Sequence, residues 1–360
     1  MLKKRELTVI AINIIFVKML LSFPRSVVEN SANAAWLQII YNAIIAVLFY
    51  YVIMKIHSGN RNIIETASAA GGKWIRIAVS LLILIILLLN FVNVMRGCSE
   101  IIKAVLLKDT NDRLVTIIFA ATAAFGAYMG IEALGRVHFL FMPIGATVML
   151  GFLLLLIPYY HLENAAPIFG NGIDSILGTG FGSVSLFSDI IIVNLLISNM
   201  ENSGEAKQCG IKAIIISGIL SVIIMAAFCL TYPYPASVNF INPVYEMARM
   251  VHLSGFFSRF ESFFEFIWTI MMFLYASVYL YAMCFTISSG FRLKYTRPLI
   301  LPVTLISFAP VMLPTAYIRI FNIDEFSDSY SWVFAFGIML VCALLSHKTG
   351  KSCKKKEGIK

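Results

Sequence analysis

Two charged residues stand where a lipid-embedded helix would carry Leu or Ile. Asp189 closes the stretch Gly178-Thr-Gly-Phe-Gly-Ser-Val-Ser-Leu-Phe-Ser-Asp and falls near the middle of an apolar segment that continues through Ile197. Lys18 lies in the first apolar segment, a few residues before Ser22-Phe23-Pro24. An ionisable group at membrane depth is costly and marks a functional site by default. The three glycines and four hydroxyl residues of Gly178–Asp189 predict a helix that loses its regular hydrogen bonding, which a membrane tolerates only against protein or a water-filled cavity. Pro24 removes a donor and disfavours the α conformation at Phe23, so the first segment carries an interruption as well. Freed N–H groups at such breaks can receive a carboxylate, and freed carbonyls an ammonium or a cation. The plainer alternative is that the glycines admit a close-packed neighbour and that Asp189 pairs with an adjacent side chain.

Two further groups are chemically informative. Asn93, Arg96, Glu100 and Lys103 recur at three or four residues and share one helix face. Arg96 and Glu100 can pair along it, either as a structural pair or as part of an ion or water pathway. Arg259-Phe-Glu261-Ser-Phe-Phe-Glu265-Phe-Ile-Trp268 sets Glu261 and Glu265 one turn apart. Like charges at that spacing need a cation, a proton or a cavity, with Arg259 or Lys18 as possible partners. Enzyme signatures are absent: Gly178-Thr-Gly-Phe-Gly182 lacks the dinucleotide spacing, the histidines are scattered, and no Cys/His group has zinc spacing. Neither catalysis nor a cofactor or metal is expected.

The elements that position these residues follow from composition. Hydrophobic residues make up 59% of the chain and charged ones 13%, about half the charged share of a soluble domain. Apolar runs long enough to cross a bilayer (about 20 residues) recur throughout. They are Leu7–Val28, Trp36–Ile56, Trp74–Leu107, Leu114–Ile131, Leu134–Ile157, Ser175–Asn199, Gln208–Thr231, Phe260–Ser288, Leu299–Ala316 and Trp332–Ser346. The fold expected is all-α and integral to the membrane, with ten transmembrane helices. The interrupted first and sixth spans take matching places in two five-helix halves, about 7–157 and 175–346, the pattern of an inverted repeat. An even span number puts both termini on one side. Lys and Arg are roughly threefold denser on that side, which makes it cytoplasmic. The net charge of +9 therefore reflects loops and the basic tail 347–360 at a lipid surface, not nucleic-acid binding. Ile63–Arg76 reads as an interfacial helix ended by Gly71-Gly72, the amphipathic run Val244–Leu253 as a helix on the membrane surface, and Gly126 with Gly130 as a close-packing pair.

Together these residues resemble the spore germination permease family, the B-type subunits of nutrient germinant receptors, within the amino acid–polyamine–organocation transporter superfamily. The resemblance is carried by Leu20-Leu21-Ser22-Phe23-Pro24-Arg25, by Phe187-Ser188-Asp189, and by Arg259-Phe-Glu261 followed by Trp268. It implies a LeuT-like fold and a subunit that senses a small nutrient, commonly an amino acid, in the inner membrane of the dormant spore. The implied partners are an A-type membrane subunit and a C-type lipoprotein. By the superfamily pattern the ligand site falls on Lys18, Met19, Leu20, Leu21 and Ser22 of the first break and on Ser185, Phe187, Ser188 and Asp189 of the sixth-span break. Val17 and Met19 replace the glycines usual in the first break, and Lys18 between them is expected to supply the positive charge that a bound cation supplies elsewhere. The alternative reading is a proton- or ion-coupled amino acid permease acting alone.

Overall fold

Long apolar runs with few charges fold as helices because a helix satisfies its own backbone polar groups where water is absent. The computed structural model describes residues 1–57, 61–105, 111–240, 242–251, 260–312 and 327–345. These residues are helical throughout, apart from connecting turns and one isolated parallel bridge between Leu2 and Met200.

The first apolar segment is split. Helix α1 (Lys4–Phe16) runs into a 3-10 turn at Val17–Leu20, and the chain restarts as α2 (Phe23–Ser31) with Pro24 in its first turn. Next come α3 (Ala35–Ile56), α4 (Ile63–Val105), α5 (Asp112–Met129) and α6 (Ile131–Leu155). The sixth segment is split more deeply: a short α7 (Ile173–Leu177), a 3-10 run over Thr179–Ile190, α8 (Ile191–Leu195) and a last 3-10 turn at Leu196–Asn199. The chain closes with α9 (Ala206–Thr231), α10 (Pro243–Met250), α11 (Phe260–Phe291), α12 (Ile300–Phe308) and α13 (Ser327–Leu345).

Among the described residues, seven helical segments are long and apolar enough to cross a membrane, with two shorter apolar helices, Arg113–Met129 and Arg297–Phe308, beside them. The sequence alone asks for ten spans. The first falls short as a continuous helix because it breaks after Phe16, and the ninth leaves the described residues after Met312.

Burial sorts the helices into a centre and a rim. The apolar window of Ile173–Asn199 is 89% buried and that of Phe264–Phe291 72%, against 28% for Phe23–Ile56 and for Ile131–Leu155. The sixth segment and α11 are therefore central. Rim residues such as Ile44, Leu48, Leu140 and Leu154 remain exposed, as side chains facing lipid tails do. α11 packs on α4, α5 and α6, while α1 and α3 both pack on α9. The chain is an integral membrane protein.

Three local expectations are refined. α4 is kinked where the interfacial helix was expected to end, with Gly72 at φ 71° and ψ −154°, a conformation open to glycine. Gly126 does provide close packing, since a Cβ there would overlap Ser277 of α11. Gly130, at φ 91°, instead turns the chain from α5 into α6. The described part of the run expected over Val244–Leu253, residues 244–251, is not a free surface helix. α10 buries Val244, Met247 and Ala248, and it packs on α11, on α9 and on the 3-10 turn after α1.

Candidate functional site

A 3-10 helix bonds residue i to i+3, and runs beyond three or four residues are uncommon because the geometry is poor. The twelve-residue run Thr179–Ile190 is sustained by side chains from neighbouring helices. Gln38 Nε2 donates to the Gly180 carbonyl at 3.2 Å and to Ser183 Oγ at 2.8 Å, and Asn42 Nδ2 donates to the same carbonyl at 3.2 Å. Ser31 Oγ in turn donates to Gln38 Oε1. Gly180 is glycine because a Cβ would press on the Gln38 amide, 2.8 Å away. The carbonyl freed early in the run is thus taken up by α3 and is not offered to a ligand.

The later part of the run meets the first break. Lys18, 8% exposed, sets Nζ 2.8 Å from Asp189 Oδ2, and Asp189 is fully buried. The same ammonium donates to Ser188 Oγ at 3.3 Å and to the Ser185 carbonyl at 3.5 Å. Asp189 Oδ1 accepts from Tyr279 Oη of α11 at 2.5 Å and from Asn90 Nδ2 of α4 at 3.1 Å. Ser331 Oγ of α13 donates to Asn90 Oδ1 at 3.1 Å, and the Trp332 N–H donates to Ser185 Oγ at 3.3 Å. Asp328, one turn before Trp332 on α13, is in electrostatic range of both Lys18 and Asp189. A buried ion pair is tolerated when extra hydrogen bonds satisfy its remaining lone pairs and protons; the 3-10 run, α4 and α11 supply such bonds here, and α13 braces two of the groups that make them.

A cavity of about 110 Å³ abuts this cluster between α4 and α13, lined by Leu82, Ile85, Ile86, Leu89, Ser327, Ser331 and Phe334. Its lining is almost wholly apolar, and Leu82, Ile85, Leu89 and Phe334 are exposed, so it opens toward the lipid-facing rim. Ser331 on its lining bonds Asn90, and Asn90 bonds Asp189.

Of the residues expected at the site, Lys18, Ser185, Ser188 and Asp189 come together. Ser22 is half-buried at the break. Leu20 instead lines a small apolar cavity with Phe16, Met142 and Trp268, Leu21 faces Gly97 of α4, and Phe187 faces Gly218 of α9. Met19 is fully buried in the apolar core. Asn90, Tyr279, Ser331 and Asp328 were not anticipated. Asn90 carried a signal, as a lone amide after the apolar run Leu81–Leu89; Tyr279 carried none.

Arg96 and Glu100 do pair along α4, at 3.7 Å. Among the described residues Glu265 has no ion partner; Lys18, one of the two partners expected for it, is engaged by Asp189 instead. Arg259 and the side chain of Glu261 lie outside the described residues. No group of three or more His, Cys, Asp or Glu side chains is arranged to hold a metal ion among the described residues.

A family model described as spore germination protein matches residues 1–320. Spore germination protein YndE of Bacillus subtilis (strain 168) is 23% identical over 298 residues, covering 80% of this chain and 81% of the relative. Spore germination protein B2 of the same organism is 24% identical over 263 residues, 70% of each chain. Spore germination protein KB, also from that strain, is 22% identical over 282 residues, 75% of this chain and 74% of the relative. In fold, the chain is similar to the solved structure of Mhp1, a nucleobase-cation-symport-1 family transporter in a closed conformation with bromovinylhydantoin bound. The TM-score is 0.68 at 12% identity, over 98% of this chain and 93% of that one.

Proposed function

Since the chain belongs to the spore germination protein family, we propose that it is the membrane subunit of a spore nutrient germinant receptor. It binds a small nutrient, an amino acid, at the junction of its two helix breaks, and signals through an A-type membrane subunit and a C-type lipoprotein. The observation that carries this reading is the Lys18–Asp189 pair at 2.8 Å. It joins the first break directly to the second. A ligand bearing both a carboxylate and an ammonium competes for both partners of the pair. Asp328 adds a second carboxyl group near one ammonium, which leaves electrostatic room for a ligand ammonium. Displacing the pair alters how the two breaks meet, and a ligand that binds the altered arrangement better shifts the conformational equilibrium toward it. The setting is the spore inner membrane with both termini cytoplasmic, in keeping with the distribution of Lys and Arg.

A second reading, an amino acid permease coupled to protons or ions, has support from the transporter-like fold and from the unpaired carboxyl of Glu265. Fold alone does not choose between the two. A thermal-shift screen of amino acids, sugars and nucleosides on the purified chain is expected to give its largest stabilisation with an amino acid. Spores lacking an A-type or C-type partner are expected to lose the response to that nutrient, and vesicles holding this chain alone are expected not to accumulate it. Accumulation by such vesicles, with a nutrient response that survives loss of the partners, would establish the permease instead.

A further inference from the structure

Glu265 is an anomaly near the start of α11. It is fully buried, and neither carboxyl oxygen has a hydrogen-bond partner. A carboxylate can accept about four hydrogen bonds, and leaving it buried and unpaired costs many kcal/mol, whereas the neutral acid costs far less. Among the described residues, the groups around it offer no counter-charge. On its own helix, Trp268 Nε1 and Thr269 Oγ1, at i+3 and i+4, are buried and equally unbonded. Cys98 of α4 is in electrostatic range and its thiol donates to Met272 Sδ at 2.9 Å. α6 contributes His138, whose Nδ1 is held by the Leu134 carbonyl and Nε2 by Asn13. α5 presents Phe119, stacked on Phe273. On α10, Arg249 and Glu246 are paired at 3.1 Å. Lys18, at the end of α1, is held by Asp189. Arg96 and Glu100 of α4 form a pair and do not bond Glu265.

We propose that Glu265 is a proton-binding site: it holds a proton in this conformation and passes it to water when the packing of α11 against α4 opens. A metal cation does not fit the described surroundings, because hard cations take about six or more oxygens and, among the side chains described, the carboxyl is joined on its helix face by a single hydroxyl, that of Thr269. The step breaks the Glu265 O–H bond, leaves a carboxylate and transfers the proton to a water molecule entering the seam. The site is separate from the ion-pair cluster. Tyr279, which bonds Asp189, lies fourteen positions further along α11, about 21 Å at ~1.5 Å per residue.

Opening is therefore linked to proton release. For one proton, the ratio of hydrated to closed conformations rises by up to about tenfold per pH unit. A glutamate in an unfolded chain ionises near ~4.3. The native chain then holds one proton more than the unfolded chain above that pH, so stability falls as pH rises. Infrared spectra of the full chain in lipid nanodiscs test this directly. Wild type is expected to show the carbonyl stretch of a protonated carboxylic acid at neutral pH, with part of that band lost in E265Q. The thermal midpoint of wild type is expected to fall from mildly acidic to mildly alkaline pH, and that of E265Q to fall less. Absence of any protonated-carboxyl band in wild type at neutral pH overturns the proposal without recourse to a variant. So does an unchanged band, or an unchanged pH slope, in folded E265Q.

Discussion

At the scale of single residues, the behaviour of the site turns on how few charges share it. Lys18 Nζ meets Asp189 Oδ2, Ser188 Oγ and the Ser185 carbonyl, and Asp189 Oδ1 is held by Tyr279 and Asn90. Removing one partner leaves the other buried without compensation, which typically costs about 3–5 kcal/mol. K18M and D189N are each expected to lower the thermal midpoint of the purified chain markedly. The double variant K18M/D189N is expected to lose less than the sum of the two, because it leaves no orphaned charge. All three are expected to abolish the nutrient response, and the double variant separates loss of function from loss of stability. A double variant that still responds would remove the pair from the mechanism. Lys18 and Asp189 were legible in the sequence because charged groups stand out in apolar runs, and Ser185 and Ser188 through the family resemblance. The rest of the cluster was not, because hydropathy does not fix the rotation of a helix about its axis. Leu20, Leu21 and Phe187 are neighbours of site residues in sequence and face other helices in space. Asn90, Tyr279 and Asp328 lie far apart in sequence and meet through packing.

At the scale of elements, the sixth segment is held out of α-helical form by α3. The Gly180 carbonyl has donors from Gln38 and Asn42, and Gln38 also bonds Ser183. Gln38→Leu keeps the volume but removes one donor to that carbonyl and the only described partner of Ser183 Oγ. An unsatisfied buried polar group costs about 1–3 kcal/mol. Q38L is expected to destabilise the purified chain by that order and to weaken the thermal shift produced by the nutrient, although Gln38 does not touch Lys18 or Asp189. A nutrient-induced shift equal to wild type would mean that the 3-10 run does not depend on α3. The elements themselves were the most legible part of the chain, since each apolar run falls on helical structure wherever its residues are described. The glycines from Gly178 and the Ser22-Phe23-Pro24 triplet marked both breaks. What composition could not convey is that α10 folds back over the first break instead of resting on lipid. An amphipathic face is satisfied equally by a membrane surface or by a protein groove.

At the scale of the whole molecule, the ion pair is enclosed from both ends. On one side α10 buries Val244 and Met247 and packs against the 3-10 turn that carries Lys18. On the other, the end of the sixth segment and the turn that follows it are tied to four parts of the chain. The Leu2 N–H donates to the Asn199 carbonyl at 2.8 Å and the Glu201 N–H to the Leu2 carbonyl at 3.1 Å. Asn62 Nδ2 donates to Ser198 Oγ at 2.7 Å, Asn199 Nδ2 reaches Tyr281 Oη at 3.4 Å, and Lys4 lies 3.6 Å from Glu205. These ties hold the sixth segment against α1, so access from this end requires their release. Leu2→Pro removes one of the donors while leaving the central pair untouched. A hydrogen bond of this kind contributes about 0.5–1.5 kcal/mol, so its loss shifts an open–closed balance by roughly threefold to tenfold. The native thiol of Cys209 reports on that shift, since it is buried with Sγ 3.5 Å from the Lys4 carbonyl. L2P is expected to be alkylated at Cys209 by a maleimide about threefold to tenfold faster than wild type, with Cys284, buried on the central helix α11, unchanged. Equal rates at Cys209 would show that this end does not open by parting α1 from the sixth segment. Faster labelling at both thiols would show general loosening and not a gate.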